Sequence, residues 1–273
     1  MFKIFDLHND YFFKLNTEIK KNNYFLKNEE YIEKAMSVIW TSELNEIESL
    51  SAIKRAREFV NKTEKTLLAV EDLHFLSKEN FQLFLKEKPF YAGLVWNRTN
   101  CIAGGAFESG RLTSFGKKVI KDLEKNNIVV DTAHLNEESF VDVMKVVTKP
   151  LICSHTACFG KNEHKRNLKD YQIKEIIKTG GMVGICLVSN FLNGTNHSAV
   201  KDVVSHIDYF ACKFGINNLA LGTDYFGTDH ITKNLENYAK LSKTLSNYLL
   251  KMGYTEKSVN KIFFENAKNF FGL

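Results

Sequence analysis

The feature that most restricts how this chain can fold is an alternation. Eight short apolar runs, at 3–7, 35–40, 66–70, 91–96, 128–131, 151–154, 182–188 and 219–222, are separated by longer segments with apolar residues at helical spacing. Most of the runs are nearly continuous rather than alternating with polar residues, as in parallel strands buried on both faces. Helical patterns fall at 47–60, 114–124, 136–147, 168–178, 200–214 and 235–252. The second opens on Ser114 and the third on Asn136 followed by two glutamates, both N-terminal capping signals. The fourth runs into Thr179-Gly180-Gly181, a C-terminal cap and turn. An α/β chain of 273 residues with eight such units suits a (β/α)8 TIM barrel, which takes ~250 residues. A doubly wound open sheet is the competing architecture, and the count of eight favours closure. Two further short helices, around 256–264 and 266–271, are expected to close the C-terminus and pack their phenylalanines against the barrel. No linker, low-complexity tract or repeat interrupts the chain, so 1–273 reads as a single domain.

A barrel of this kind carries its active site on the rim where the strands end. Side chains able to bind metal stand just after five of the apolar runs. His8 and Asp10 follow the first, Glu71 the third, His134 the fifth, His155 the sixth and Asp224 the eighth. His8 and Asp10 are two residues apart, so an extended strand projects them to the same face. Taken singly, each has a plainer reading: a hydrogen-bonded structural histidine, a helix-capping Glu71, a turn residue at Asp224. Six such residues at one end of one barrel form a joint pattern that chance rarely supplies. Three imidazoles and three carboxylates exceed the needs of one tetrahedral zinc. They suit two divalent ions sharing a carboxylate, ~4 Å apart. Asp131 is a candidate to support His134 from behind, with a purely structural role as the equal alternative. His74, His197, His206 and His230 fall in loops or helices and are expected at the surface. Cys153 and Cys158 flank His155 and are expected to be buried free thiols rather than ligands.

Composition removes other classes of function. The net charge is +5 and the lysines are spread along the chain, so a solvated surface is expected rather than a nucleic-acid face. Five cysteines with no Cys-x-x-Cys pair suit reduced thiols in a cytoplasmic protein. No run approaches ~18 apolar residues, and no charged segment leads into an apolar stretch at the start. Neither a membrane span nor a signal peptide is therefore expected.

In this order the residues resemble the renal (membrane) dipeptidase family, peptidase family M19 of the amidohydrolase superfamily. The resemblance runs through Asp6-Leu7-His8-Asn9-Asp10, Val95-Trp96-Asn97-Arg98-Thr99-Asn100 and Gly110-Arg111-Leu112-Thr113-Ser114-Phe115-Gly116. It continues through Asp131-Thr132-Ala133-His134, Cys153-Ser154-His155-Thr156-Ala157, Arg166-Asn167, Gly222-Thr223-Asp224-Tyr225-Phe226-Gly227 and Glu265-Asn266-Ala267. Each fragment is weak alone; together and in order they are specific. The resemblance implies two zinc ions per chain, with Mn or Co as substitutes. His8, Asp10 and Asp224 would hold one ion, His134 and His155 the other, and Glu71 would bridge. It also implies hydrolysis of dipeptides, including those with a C-terminal D-residue, by a metal-activated water whose proton Asp224 takes. Arg166 matches the arginine that binds the substrate's terminal carboxylate, a job its planar fork suits. The partner implied is a small-molecule dipeptide, with neither nucleic acid nor membrane, and a homodimer is allowed.

Two positions depart from the family. Asn97 stands where the renal enzymes carry a catalytic histidine; an amide can still donate a hydrogen bond to an oxyanion but cannot become a cation. After the seventh run, Cys186-Leu187-Val188 replaces an Asn-Phe-Tyr segment, so Val188 stands in place of the tyrosine. These departures keep a second hydrolase open, one acting on a non-dipeptide amide or lactone. A catalytically silent metal-binding barrel is the third reading.

Overall fold

Each apolar run of the sequence becomes a strand, and the eight close into a parallel barrel in chain order. The computed structural model describes residues 1–12 and 30–273. The strands are β1 (Ile4–Asn9), β2 (Ile32–Trp40), β3 (Thr66–Glu71), β4 (Tyr91–Gly93), β5 (Val129–Asp131), β6 (Ile152–Thr156), β7 (Met182–Ile185) and β8 (Leu219–Leu221). Strands β4 and β7 are shorter than their apolar runs. Beyond Gly93 and Ile185 the chain leaves the sheet but stays buried, carrying Trp96, Asn97 and Val188 to the barrel mouth.

The connecting helices include α1 (Glu46–Val60), α2 (Phe81–Lys86), α3 (Ser114–Lys125), α4 (Glu137–Met144), α5 (Asp170–Lys178), α6 (Ser189–Asn193) and α7 (Val200–Phe214). The cap of α3 is Thr113 rather than Ser114: its hydroxyl accepts the Gly116 amide at 2.9 Å. Asn136 caps α4, accepting from the Ser139 amide at 2.8 Å. Helices α2 and α6, of six and five residues, are too short to show a 3.6-residue period and were not anticipated. The two helices expected at the C-terminus are one run, Glu256–Asn260 and Asn266–Phe270 joined by a π turn at Lys261–Glu265. Among the described residues no helix is long and apolar enough to cross a membrane.

The core has two layers. Ile4, Ile53, Val70, Val119, Ile173, Ile207 and their neighbours fill the space between sheet and helices. Inside the barrel lie Phe5, Leu7, Met36, Val38, Ala69, Tyr91, Ile152, Met182 and Ala220. The C-terminal run closes the lower end, with the Phe271 ring stacked 5.9 Å from Phe5 and edge-on to Phe90 at the same distance. Fully burying one such ring contributes ~1.5–3 kcal/mol.

Two slips in strand register prepare the upper end. Against β2, three steps of β1 from Asp6 to Asn9 match two from Ala35 to Ser37. Against β7, three steps of β6 from Cys153 to Thr156 match two from Val183 to Ile185. Such bulges re-aim side chains, and His8 and His155 each lie inside one. Gly184 and Gly222 give the β6 bulge its room: a Cβ on either would stand 2.0 or 1.9 Å from the Ser154 carbonyl oxygen. The barrel closes where Asp6 pairs with Leu221. The buried Asp6 carboxylate accepts the Thr223 amide at 2.8 Å, the Thr223 hydroxyl at 2.7 Å and the Tyr238 hydroxyl at 2.6 Å. It thereby pins the loop that carries Asp224.

Candidate metal centre at the barrel mouth

The structure brings together all six residues singled out at the strand ends. Glu71 Oε1 lies 3.1 Å from His134 Nε2, 3.8 Å from His155 Nε2 and 4.0 Å from His8 Nε2. His8 Nε2 is also 3.4 Å from Asp10 Oδ2 and 3.9 Å from Asp224 Oδ1. His8 and Asp10 converge through the β1 bulge rather than through regular strand alternation, since β1 ends at Asn9. His134 and Asp224 hold left-handed backbone, with φ of 68° and 61°, a conformation costing a non-glycine residue about 1–3 kcal/mol. Neighbouring bonds pay for it: the Asp224 amide donates to His8 O at 3.0 Å, and Asp131 Oδ1 accepts the Ala133 amide at 3.0 Å.

The backs of the imidazoles decide which nitrogen faces the centre. Tyr91 donates its hydroxyl to Leu7 O at 2.9 Å, so at 3.0 Å it accepts from His8 Nδ1. Ser154 donates to Asp131 Oδ2 at 2.6 Å and accepts from His155 Nδ1 at 3.0 Å, with His8 Nδ1 at 3.3 Å. Asn97 Oδ1 lies 3.0 Å from His134 Nδ1. With the Nδ1 protons so placed, all three Nε2 atoms turn to one space, the arrangement of metal-bound histidines held from behind. Asp131 thus supports the His155 imidazole through Ser154, and helps His134 only through the backbone, at the Ala133 amide.

The electrostatics of that space call for positive charge. Burial pushes the Glu71 carboxyl well up, and Asp10 and Asp224 add to it. Burial, then the Asp10 charge, raises Asp224 to about 7. Against the lowering effect of burial, Asp10, Glu71 and Asp224 push His8 up to about 10. Burial lowers His134 and His155, and their Nε2 atoms, each with a lone pair, stand only 2.9 Å apart. His8 Nε2 and Glu71 Oε1 are buried without a hydrogen-bond partner. Three ligand sets have their donor atoms within 4.8 Å of one another: His8 with Asp10 and Glu71, Glu71 with His134 and His155, and His8 with His155 and Asp224. Glu71, His8 and His155 each belong to two of them. Neutral imidazoles and carboxylates are the donors divalent ions such as zinc take, so these residues fit a metal.

Residues 29–271 match the model of the family described as membrane dipeptidase, peptidase family M19. The chain belongs to the M19 family. Membership makes it a metallo-dipeptidase. Among solved structures it is similar to a metallopeptidase from Rhodobacter sphaeroides bound to a phosphinate mimic of L-Ala-D-Ala. The TM-score is 0.87 at 17% identity, over 100% of this chain and 99% of that one. A second, dipeptidase AC, gives 0.87 at 18% identity over 99% and 98% of the two chains. An amidohydrolase from Pseudomonas aeruginosa gives 0.81 at 18% identity over 98% and 95%. At these identities the likeness is one of fold.

In this M19 chain a cavity of about 390 Å³ opens over the centre. Asp10, Glu71, His134, His155 and Asp224 form its floor. Arg166, from the basic run 161–169, is 4% exposed and lines it. Its Nη2 stands 2.7 Å from His155 Nε2, and its head lies 5.3 Å from the Phe191 ring centroid. Trp40 and Trp96 meet edge to face at 5.1 Å on one wall; His164 stacks on Phe191 at 4.8 Å on another. Val188 and Asn97 also line the cavity.

His230 is exposed, as expected, and lines the cavity. Two expectations for the other histidines need correction. His206 is fully buried, its Nδ1 accepting the Cys158 amide and its Nε2 bonded to Leu192 O. His74 is half-buried, with Nε2 3.0 Å from Leu44 O. His197 is exposed, and Cys153 and Cys158 are buried free thiols, as expected. Sequence reasoning missed the aromatic walls at Trp40, His164 and Phe191 and the imidazole supports Tyr91 and Ser154. Ser154 stood inside a motif already singled out; Tyr91 read only as an apolar strand residue.

Proposed function

We propose that the chain hydrolyses dipeptides with two zinc ions, one held by His8, Asp10 and Asp224 and one by His134 and His155, with Glu71 shared. The observation carrying this reading is Glu71 Oε1, buried and unpartnered, within 3.1–4.0 Å of the Nε2 atoms of all three histidines. Divalent ions at such a site polarise a carbonyl and lower the pKa of water toward neutrality. Asp224 takes the proton of the attacking water as the new C–O bond forms. It passes that proton to the amine as the C–N bond breaks. Its side chain is partly buried and reaches the cavity, which suits a group that must meet both water and substrate. Arg166 binds the substrate's terminal carboxylate with parallel hydrogen bonds, and Phe191 braces its guanidinium.

The L-Ala-D-Ala mimic bound by the Rhodobacter sphaeroides relative supports including dipeptides with a C-terminal D-residue. The test is metal analysis of the purified protein with turnover of L-L, L-D and glycyl dipeptides. Bound metal with dipeptide turnover is the expected result. Absence of bound metal after loading with zinc overturns the reading. Metal without turnover of any dipeptide favours the second hydrolase, acting on another amide or a lactone, which Asn97 and Val188 in the cavity wall motivate.

A further inference from the structure

We infer that Asn97 is a positioning residue whose side-chain carbonyl holds His134 so that Nε2, not Nδ1, faces the metal centre. The inference rests on the metal-centre reading above and assigns Asn97 a task other than hydrogen-bonding an oxyanion. His134 Nε2 is the nitrogen inside the ligand cluster, 3.1 Å from Glu71 Oε1. A histidine that offers Nε2 as a ligand keeps its proton on Nδ1, and a buried N–H needs an acceptor. Asn97 Oδ1 lies 3.0 Å away. Among the described residues no other hydrogen bond reaches His134 Nδ1. The amide orientation follows from the same logic: the oxygen, not the NH₂, must face a protonated Nδ1.

His134 needs this support more than its neighbours do. His8 and His155 lie within strands and are backed by Tyr91 and Ser154, both fully buried in the barrel interior. His134 lies past the end of β5 on left-handed backbone, so its support must come from an adjoining loop. That loop is tightly built. The Asn97 carbonyl accepts the Phe107 amide at 3.2 Å, and Thr99 Oγ1 donates to Ser109 O at 2.8 Å. Where Gly105 crosses it, a Cβ would stand 2.5 Å from Arg98 O and 2.6 Å from Asn97 C. Trp96, next in the chain, sets its ring 6.1 Å from the His134 imidazole.

Two variants separate the tasks. Asn97→Asp keeps an acceptor oxygen and loses the amide donor; Asn97→Leu loses both at similar volume. Zinc affinity is measured on metal-stripped protein by chelator competition, and the His134 tautomer by long-range ¹⁵N–¹H spectra of the metal-free protein. Loss of such a supporting partner lowers metal affinity about 10–100-fold. That loss is expected in Asn97→Leu at one ion, with the tautomer shifted away from Nδ1–H. Asn97→Asp is expected to restore both affinity and tautomer. Equal wild-type affinity in Asn97→Leu overturns the inference, as does an Asn97→Asp variant that loses as much as Asn97→Leu. Wild-type protein that binds no zinc overturns the metal-centre reading itself, which separates the two failures.

Discussion

Removing the Ser154 hydroxyl should weaken the protein and its metal centre together, and unequally at the two ions. The hydroxyl touches three buried groups: Asp131 Oδ2 at 2.6 Å, His155 Nδ1 at 3.0 Å and His8 Nδ1 at 3.3 Å. In Ser154→Ala the Asp131 Oδ1 bonds to the Ala133 and Ser154 amides remain, while Oδ2 loses its hydroxyl donor. A hydrogen bond to a charged group is worth about 1.5–3 kcal/mol. At about 2–4 °C per kcal/mol for a chain of this size, Tm of the metal-free protein should fall by about 3–12 °C. Burial already raises the Asp131 pKa and the Ser154 bond opposes that rise. Losing the bond raises it further, so the variant binds its proton more readily when folded, and the deficit grows from acid to neutral pH. His8 keeps Tyr91 behind it, whereas Ser154 is the partner of His155 Nδ1. The ion bound through His155 should therefore lose about 10–100-fold in affinity, and the other much less. Calorimetry on metal-free protein and chelator competition test the two parts. A Tm within about 1 °C of wild type, with both affinities intact, would refute the argument that Ser154 joins Asp131 to the imidazoles.

Three other outcomes are expected. Asp224→Asn keeps an oxygen ligand but loses the proton acceptor, so turnover should fall about 10²–10⁴-fold with metal retained; full activity in a steady-state assay would sink the proposed role. Gly227→Ala would set a Cβ 2.3 Å from Asp10 Oδ2 and 2.4 Å from Asp224 Oδ1; because a misplacement of ~1 Å can cost about 100-fold, activity should collapse while circular dichroism stays unchanged. In the metal-free protein His8 is raised to about 10 and Asp224 to about 7, so both carry protons that an ion must displace. Zinc affinity should accordingly rise with pH from acid toward 10, read by chelator competition and by protons released into buffers of different ionisation heat; affinity flat across that range would contradict it.

What was legible in the sequence was what is local. A buried strand is a run of adjacent apolar residues, and a ligand at its end is the next polar residue along. Glu71 after Val70 and Asp224 after Gly222-Thr223 could therefore be read with no knowledge of their neighbours. Helices α2 and α6 escaped because they are too short for a period. The supports of the metal centre escaped for a different reason. Ser154 meets His8 across 146 residues of chain, and Tyr91 meets it across 83; these contacts exist only once the barrel closes and β1 and β6 slip register. Nothing in Leu7-His8-Asn9 or Ser154-His155-Thr156 marks a bulge. The glycines that make room for one, Gly184 and Gly222, belong to other strands or their ends. The same reasoning applies to Asp131. Its motif places it three residues before His134, and sequence proximity suggested that pair, but on β5 it faces β6, where the Ser154 hydroxyl hands its support to His155. The ligands of this centre are thus set by position within each strand, whereas their orientation is set by pairing between strands. A change at Gly184 or Gly222 should then disturb the imidazoles without touching one.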